Sequence, residues 1–84
     1  MKSFQTEILT PQKSVFSGQV AGLVLRGAEG YFGILAGHAP LLARLLPGQI
    51  KITRGGEETV CRAGAGFVQV EKERVSILLD EINL

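Results

Sequence analysis

The chain has 84 residues, 45% of them hydrophobic, with 11 glycines, one cysteine, no tryptophan and a formal net charge of +1. At that length residues 1–84 form one domain, whose modest core buries roughly 60 to 65% of the surface the unfolded chain exposes. The near-neutral charge excludes a basic field for nucleic acid or anionic lipid, while the lone Cys61 excludes an internal disulfide and fits a reducing, cytosolic setting.

In chain order, "MKSFQTEIL" lacks the apolar core and small-residue cleavage site of a signal peptide. "TPQK", residues 10–13, is the first turn signal. Within "FSGQVAGLVL" the apolar phase moves from Phe16 and Val20 to Leu23 and Leu25, which predicts a β-bulge near Ala21 and Gly22. "GAEG", residues 27–30, is a further turn. Next comes "GYFGILAGHAPLL", residues 30–42, an apolar run too unbroken for a surface that meets only water. It implies a covering partner. Gly37, His38, Pro40 and Arg44 interrupt the apolar region, so it does not enter a membrane directly.

"HAPLLARLL", residues 38–46, admits either a short amphipathic helix or a strand, and the neighbouring strands favour the second. After the "LPGQ" turn, "QIKITR" alternates, with Ile50 and Ile52 on one face and Lys51 and Thr53 on the other. "RGGEE" turns the chain into the strand-like "ETVCR", and "RAGAG" and the charged "EKER" are the last turn signals. In "VSILLD" Val75, Ile77 and Leu79 face one way, and residues 73–79 read as the final strand. Short strands between closely spaced turns, with no long helical stripe, predict an all-β sandwich or flattened barrel. No repeat, linker or low-complexity segment divides it.

The inventory of reactive groups points to no enzyme. The glycines at 27, 30, 33 and 37 match neither phosphate-binding fingerprint, so they read as turn residues or points of close backbone approach. His38 is the only histidine and has no second histidine or cysteine cluster to complete a metal site. Cys61 reads as a small buried hydrophobe rather than an activated nucleophile. Glu57, Glu58, Glu71, Glu73, Asp80 and Glu81 lie beside lysines and arginines in turn-like or terminal stretches, as solvated carboxylates do. No cofactor or metal is expected. Residue chemistry alone therefore predicts a small all-β interaction module.

Phe4 to about Leu79 resembles the N-terminal domain of the epsilon subunit of bacterial and chloroplast F-type ATP synthases. The resemblance rests on an ordered set: Val15-Phe16-Ser17-Gly18, Glu29-Gly30, Gly33-Ile34-Leu35, Gly37-His38-Ala39-Pro40-Leu41-Leu42 and Pro47-Gly48. It implies a flattened β-sandwich of two sheets, attached to the gamma subunit at the foot of the central rotor stalk and resting on the polar loops of the membrane c-ring. Such a subunit catalyses nothing itself. It couples proton-driven rotation to ATP synthesis from the cytoplasmic face of a bacterial inner membrane or, alternatively, the stromal face of a thylakoid.

By position in the family pattern, Thr10, His38, Ala39, Pro40, Leu41, Leu42 and Ala43 are expected to face gamma, and Glu29, Gly30 and Tyr31 the c-ring. Which of Leu41 and Leu42 faces the partner is open, and His38 either contacts gamma or braces its own turn. A free-standing binding module of the same shape is the alternative function. Family members usually continue into a C-terminal helical hairpin, whereas here the sequence stops at "LLDEINL". The acidic ending has no cut-helix pattern, which leads to the expectation of a natural short form that couples the rotor without braking it.

Overall fold

The computed structural model describes residues 2–83 and contains strands and turns. The strands are β1 (Phe4–Leu9), β2 (Ser14–Val20), β3 (Gly22–Gly27), β4 (Gly30–Leu35), β5 (Leu41–Leu45), β6 (Gly48–Arg54), β7 (Glu57–Ala63), β8 (Gly66–Glu71), β9 (Arg74–Leu79) and β10 (Ile82–Asn83). They pair in the order β10-β7-β6-β3-β5-β8-β9-β1-β2, with β4 added to β3. The two layers of the sandwich are thus halves of one continuous ladder rolled over at β3. One edge of β3 meets β6 at Gly22–Val24 and β5 at Gly27, and this divided edge is where the roll occurs. All pairings are antiparallel except β1 with β9.

Period-2 alternation builds the interior. Phe4 and Ile8, Leu23 and Leu25, Ile50 and Ile52, Val68 and Val70, and Val75, Ile77 and Leu79 all point inward and are buried. Each such side chain contributes about 1.5–3 kcal/mol of hydrophobic stabilisation when fully buried. Thr6 takes the inward phase between Phe4 and Ile8, fully buried, and among the described residues its hydroxyl oxygen has no hydrogen-bond partner. The strand predicted within residues 38–46 is present as β5: it pairs with β8 along its whole length, so the helical alternative is excluded.

Two expectations need correction. The phase slip near Ala21 is not a bulge within one strand. Ala21 lies between β2 and β3, and its N–H leaves the β1 ladder to donate to the Thr53 carbonyl at 2.8 Å. Changing partners absorbs the extra residue, while the irregular register falls between Ile8 and Leu9. Nor is β9 the last strand, because Ile82 and Asn83 pair with Ala63 and Arg62 of β7. Close backbone contact holds this extension: Gly64 N–H donates to Glu81 O and Asp80 N–H to Ala65 O, both at 2.9 Å.

Candidate functional site

Strand register places the expected contact residues at two ends of the sandwich and along one face. Leu45 opposes both Gly27 and Gly66, and Gly66 opposes Leu79, so these residues share one level. Leu9 opposes Leu78, which brings Thr10 to that same end. Leu41, Val70, Val75 and Thr6 lie near the other end, with His38, Ala39 and Pro40 beyond them. Thr10 and Phe4 are six residues apart on an extended chain, about 20 Å at ~3.3 Å per residue. Phe4 and His38 line the same groove. The residues expected to face gamma are therefore not one cluster.

At the His38 end, the His38 N–H donates to the Leu35 carbonyl at 3.1 Å, and Nδ1 lies 2.7 Å from the Ala39 carbonyl oxygen. Because a carbonyl only accepts, Nδ1 carries the proton in this contact. His38 braces its own turn, and Gly37, at φ 83°, supplies the left-handed residue that the turn requires. The groove beside it, about 780 Å³, is open and lined by Lys2, Phe4, His38, Pro40 and Lys72 among others.

Between the two ends runs the outer face of β5, β8, β9 and β1. Leu41 and Ala43 pack against the core, whereas Leu42 points outward and is 71% exposed. Leu42 opposes Gln69, and across the next row Arg44, Phe67, Leu78 and Leu9 follow in register. Phe67 and Leu78 are 53% and 49% exposed. Leu42, Phe67 and Leu78 thus form a diagonal apolar strip that joins the two ends. Glu7, paired with Arg74 at 3.9 Å, flanks it. Sequence reasoning missed Phe67 and Leu78. Their signal was apolar residues in the outward phase, since Val68 with Val70 and Ile77 with Leu79 already fill the inward one.

At the Thr10 end, Gly27 and Gly30 close the β3–β4 hairpin, with Glu29 exposed at its tip and Gly30 at φ 129°. Tyr31 is 55% exposed. Its ring lies under the Arg26 guanidinium, 5.5 Å from carbon to centroid, and its hydroxyl oxygen accepts the Gln49 N–H at 3.2 Å. Gly48 lies directly beneath this pair, where a Cβ would come within 3.0 Å of the Tyr31 oxygen. Thr10 caps the neighbouring turn, its N–H donating to the Lys13 carbonyl at 2.9 Å.

Among the described residues no His, Cys, Asp and Glu side chains gather in the numbers a metal site needs. Cys61 is buried opposite Ile50, whose carbonyl oxygen lies 3.7 Å from Sγ, and burial pushes its thiol pKa up. A raised pKa disfavours the thiolate a nucleophile needs. The groove beside His38 does not include Cys61.

These observations define a rolled all-β sandwich domain with an exposed apolar strip on one face and a braced polar hairpin at one end. Residues 3–84 match the family described as the ATP synthase delta/epsilon chain β-sandwich domain, and the chain belongs to that family. It is 46% identical over 81 residues to the ATP synthase epsilon chain of Chromohalobacter salexigens, covering 95% of this chain and 57% of that one. With the epsilon chain of Dichelobacter nodosus it shares 42% over 79 residues, covering 93% and 55%. The chain spans a little over half the length of these curated relatives. Among solved structures, a chain of the Euglena gracilis mitochondrial ATP synthase, in an assembly of OSCP, F1 and c-ring, superposes with TM-score 0.91 at 25% identity, covering 96% of this chain and 52% of that one. A chain from the central stalk and c-ring of the Tetrahymena thermophila enzyme shares the fold, with TM-score 0.82 at 19% identity, 98% of this chain and 66% of that one being covered. No helix among the described residues is long and apolar enough to cross a membrane.

Proposed function

We propose that this domain is a non-catalytic part of the central stalk of a proton-translocating F-type ATP synthase, joining the gamma subunit to the c-ring and so coupling rotation to ATP synthesis. The observation that carries the reading is the strip of Leu42, Phe67 and Leu78 on the outer face. Such a surface favours a permanent partner, because apolar packing transmits load without relying on isolated surface ion pairs. Gamma is that partner in this reading, contacted along the strip from the His38 end towards Thr10. The hairpin tip at Glu29, Gly30 and Tyr31 meets the polar loops of the c-ring. The domain is then held peripherally at the cytoplasmic face of a bacterial inner membrane through its protein contacts.

The relatives named as ATP synthase epsilon chains and the likeness to a chain in an F1 and c-ring assembly support this assignment. Co-purification tests it. Tagged chain expressed with the other subunits should recover gamma and the c-ring together in stoichiometric amounts, and recovery should fall when Leu42 and Phe67 are both changed to Ser. Absence of both partners from a folded, tagged chain would overturn the assignment.

A further inference from the structure

The rolled ladder has two free ends, and they are protected differently. At one, β10 covers β7 only at Ala63 and Arg62, and the uncovered part of β7 carries Glu57 and Glu58. At the other lies β2, which among the described strands pairs with β1 alone. Its seven residues, Ser14–Val20, include no charge and no proline. A neutral strand with an open edge is a template for pairing with another chain.

The charge that β2 lacks comes from another strand. Arg54, the last residue of β6, holds its guanidinium over the Phe16 ring, 5.3 Å from carbon to centroid. The same group reaches Gly18, where a Cβ would stand 3.7 Å from a terminal nitrogen. Phe16 and Gly18 oppose Ile8 and Thr6, which point inward, so Arg54 occupies the mouth of the sandwich between β2 and β6. One residue earlier, the Thr53 carbonyl accepts the Ala21 N–H and closes this seam where β2 ends. Towards Ser14 the seam widens into a groove of about 500 Å³ lined by Val15 and Ile82. Arg54 thus stands between the closed and the open part. It is exposed, and among the described residues no carboxylate pairs with it. We propose that Arg54 guards the β2 edge, its cation keeping a second copy of this chain from adding its own β2 there. A strand arriving at that edge takes the guanidinium out of water without a counter-charge, or else displaces it from the ring, and both oppose pairing.

The test is sedimentation velocity of the full 84-residue chain over a concentration series. It is run in the parent and in a background carrying Leu42→Ser and Phe67→Ser, which removes the outer apolar strip as another route to association. Arg54→Gln leaves the core untouched and should tighten self-association roughly tenfold or more in both backgrounds. Arg54→Lys keeps the cation and should stay within about twofold of the parent. Ser17, the middle residue of β2, meets itself when two such strands pair antiparallel, at a separation a disulfide can span. Ser17→Cys, with Cys61→Ala to remove the other thiol, should therefore form an intermolecular disulfide under mild oxidation in the Arg54→Gln chain and not in the chain that keeps Arg54. If the folded Arg54→Gln chain stays monomeric, if its association disappears with the strip, or if no disulfide forms at position 17, the proposal is overturned.

Discussion

Replacing Phe67 by alanine should weaken gamma binding by about thirtyfold while leaving the domain folded. Phe67 stands on the outer face of β8 with 53% of its surface exposed, opposite Leu78 and diagonal to Leu42. A phenylalanine side chain offers ~200 Å² for burial, so about 100 Å² remains for a partner to cover. At ~25 cal/mol per Å² that area is worth about 2.5 kcal/mol, and alanine would retain about a fifth of it. The difference, ~2 kcal/mol, corresponds to roughly thirtyfold in Kd. Folding loses less, because the change removes only the cross-strand contacts with Arg44 and Leu78, each worth about 0.2–1 kcal/mol. The assay is a titration of labelled domain with a gamma-containing catalytic head lacking this subunit, beside thermal unfolding of each variant. Val60→Ala is the control, since Val60 is 54% exposed but sits on β7, away from the strip. A Kd within twofold of the parent for Phe67→Ala, or an equal loss for Val60→Ala, would refute the reasoning.

Further outcomes follow from single side chains. Thr6→Val should raise stability by about 1–2 kcal/mol in denaturant unfolding, because it replaces a buried hydroxyl lacking a partner with a methyl of the same shape. Glu73→Gly should stabilise by about 0.5 kcal/mol, since Glu73 holds φ 59° in the β8–β9 turn and the strain relieved slightly exceeds the entropy glycine adds to the unfolded chain. Gly48→Ala should destabilise by about 1–3 kcal/mol through overlap with Arg26 and Tyr31, and should shift the Tyr31 ring signals in NMR spectra. Burial raises the Cys61 pKa above its ordinary value of 9.0, so the neutral thiol is favoured in the folded state. That contribution is fully present below the unfolded-state pKa and is lost as pH rises through the folded one; unfolding curves measured across this alkaline window should show a slope that Cys61→Ala removes.

Most of the interior was legible because burial on one face imposes alternation. Ile50 with Ile52, and Val75 with Ile77 and Leu79, could be assigned from spacing alone, and all are buried. Strand at 41–45 was legible only through its neighbours, since Pro40 and Pro47 accommodate either conformation. What spacing does not encode is the choice of partner. Ala21 looks like a bulge when β2 and β3 are read as one strand, and only the roll of the sheet shows that the chain changes ladders there. Ile82 and Asn83 are too short a strand to carry a pattern, and they are defined by the β7 edge available to them. The outer strip was half visible. Leu42 falls in the segment singled out as needing cover, whereas Phe67 and Leu78 join it only when β5, β8 and β9 are laid side by side. Thr10 shows the same limit: its distance from His38 is a matter of register, not of residue type.

The single parallel pairing, β1 beside β9, joins Gln5 to Arg74 and Leu9 to Leu78. Strands from near the two ends of the described sequence thus lie side by side, one position in from the β2 edge of the sheet. During synthesis β1 and β2 can form a hairpin early, but the hairpin has no sheet to join until residues 74–79 have left the ribosome. Long-range pairing of this kind slows folding and leaves unpaired strand edges exposed while it waits. The domain should therefore fold only once residues 74–79 have emerged, and in a single step, with no stable N-terminal half. A pair of fragments cut in the β6–β7 turn at Gly55 would then be unstructured when separate and would regain the sheet only when mixed.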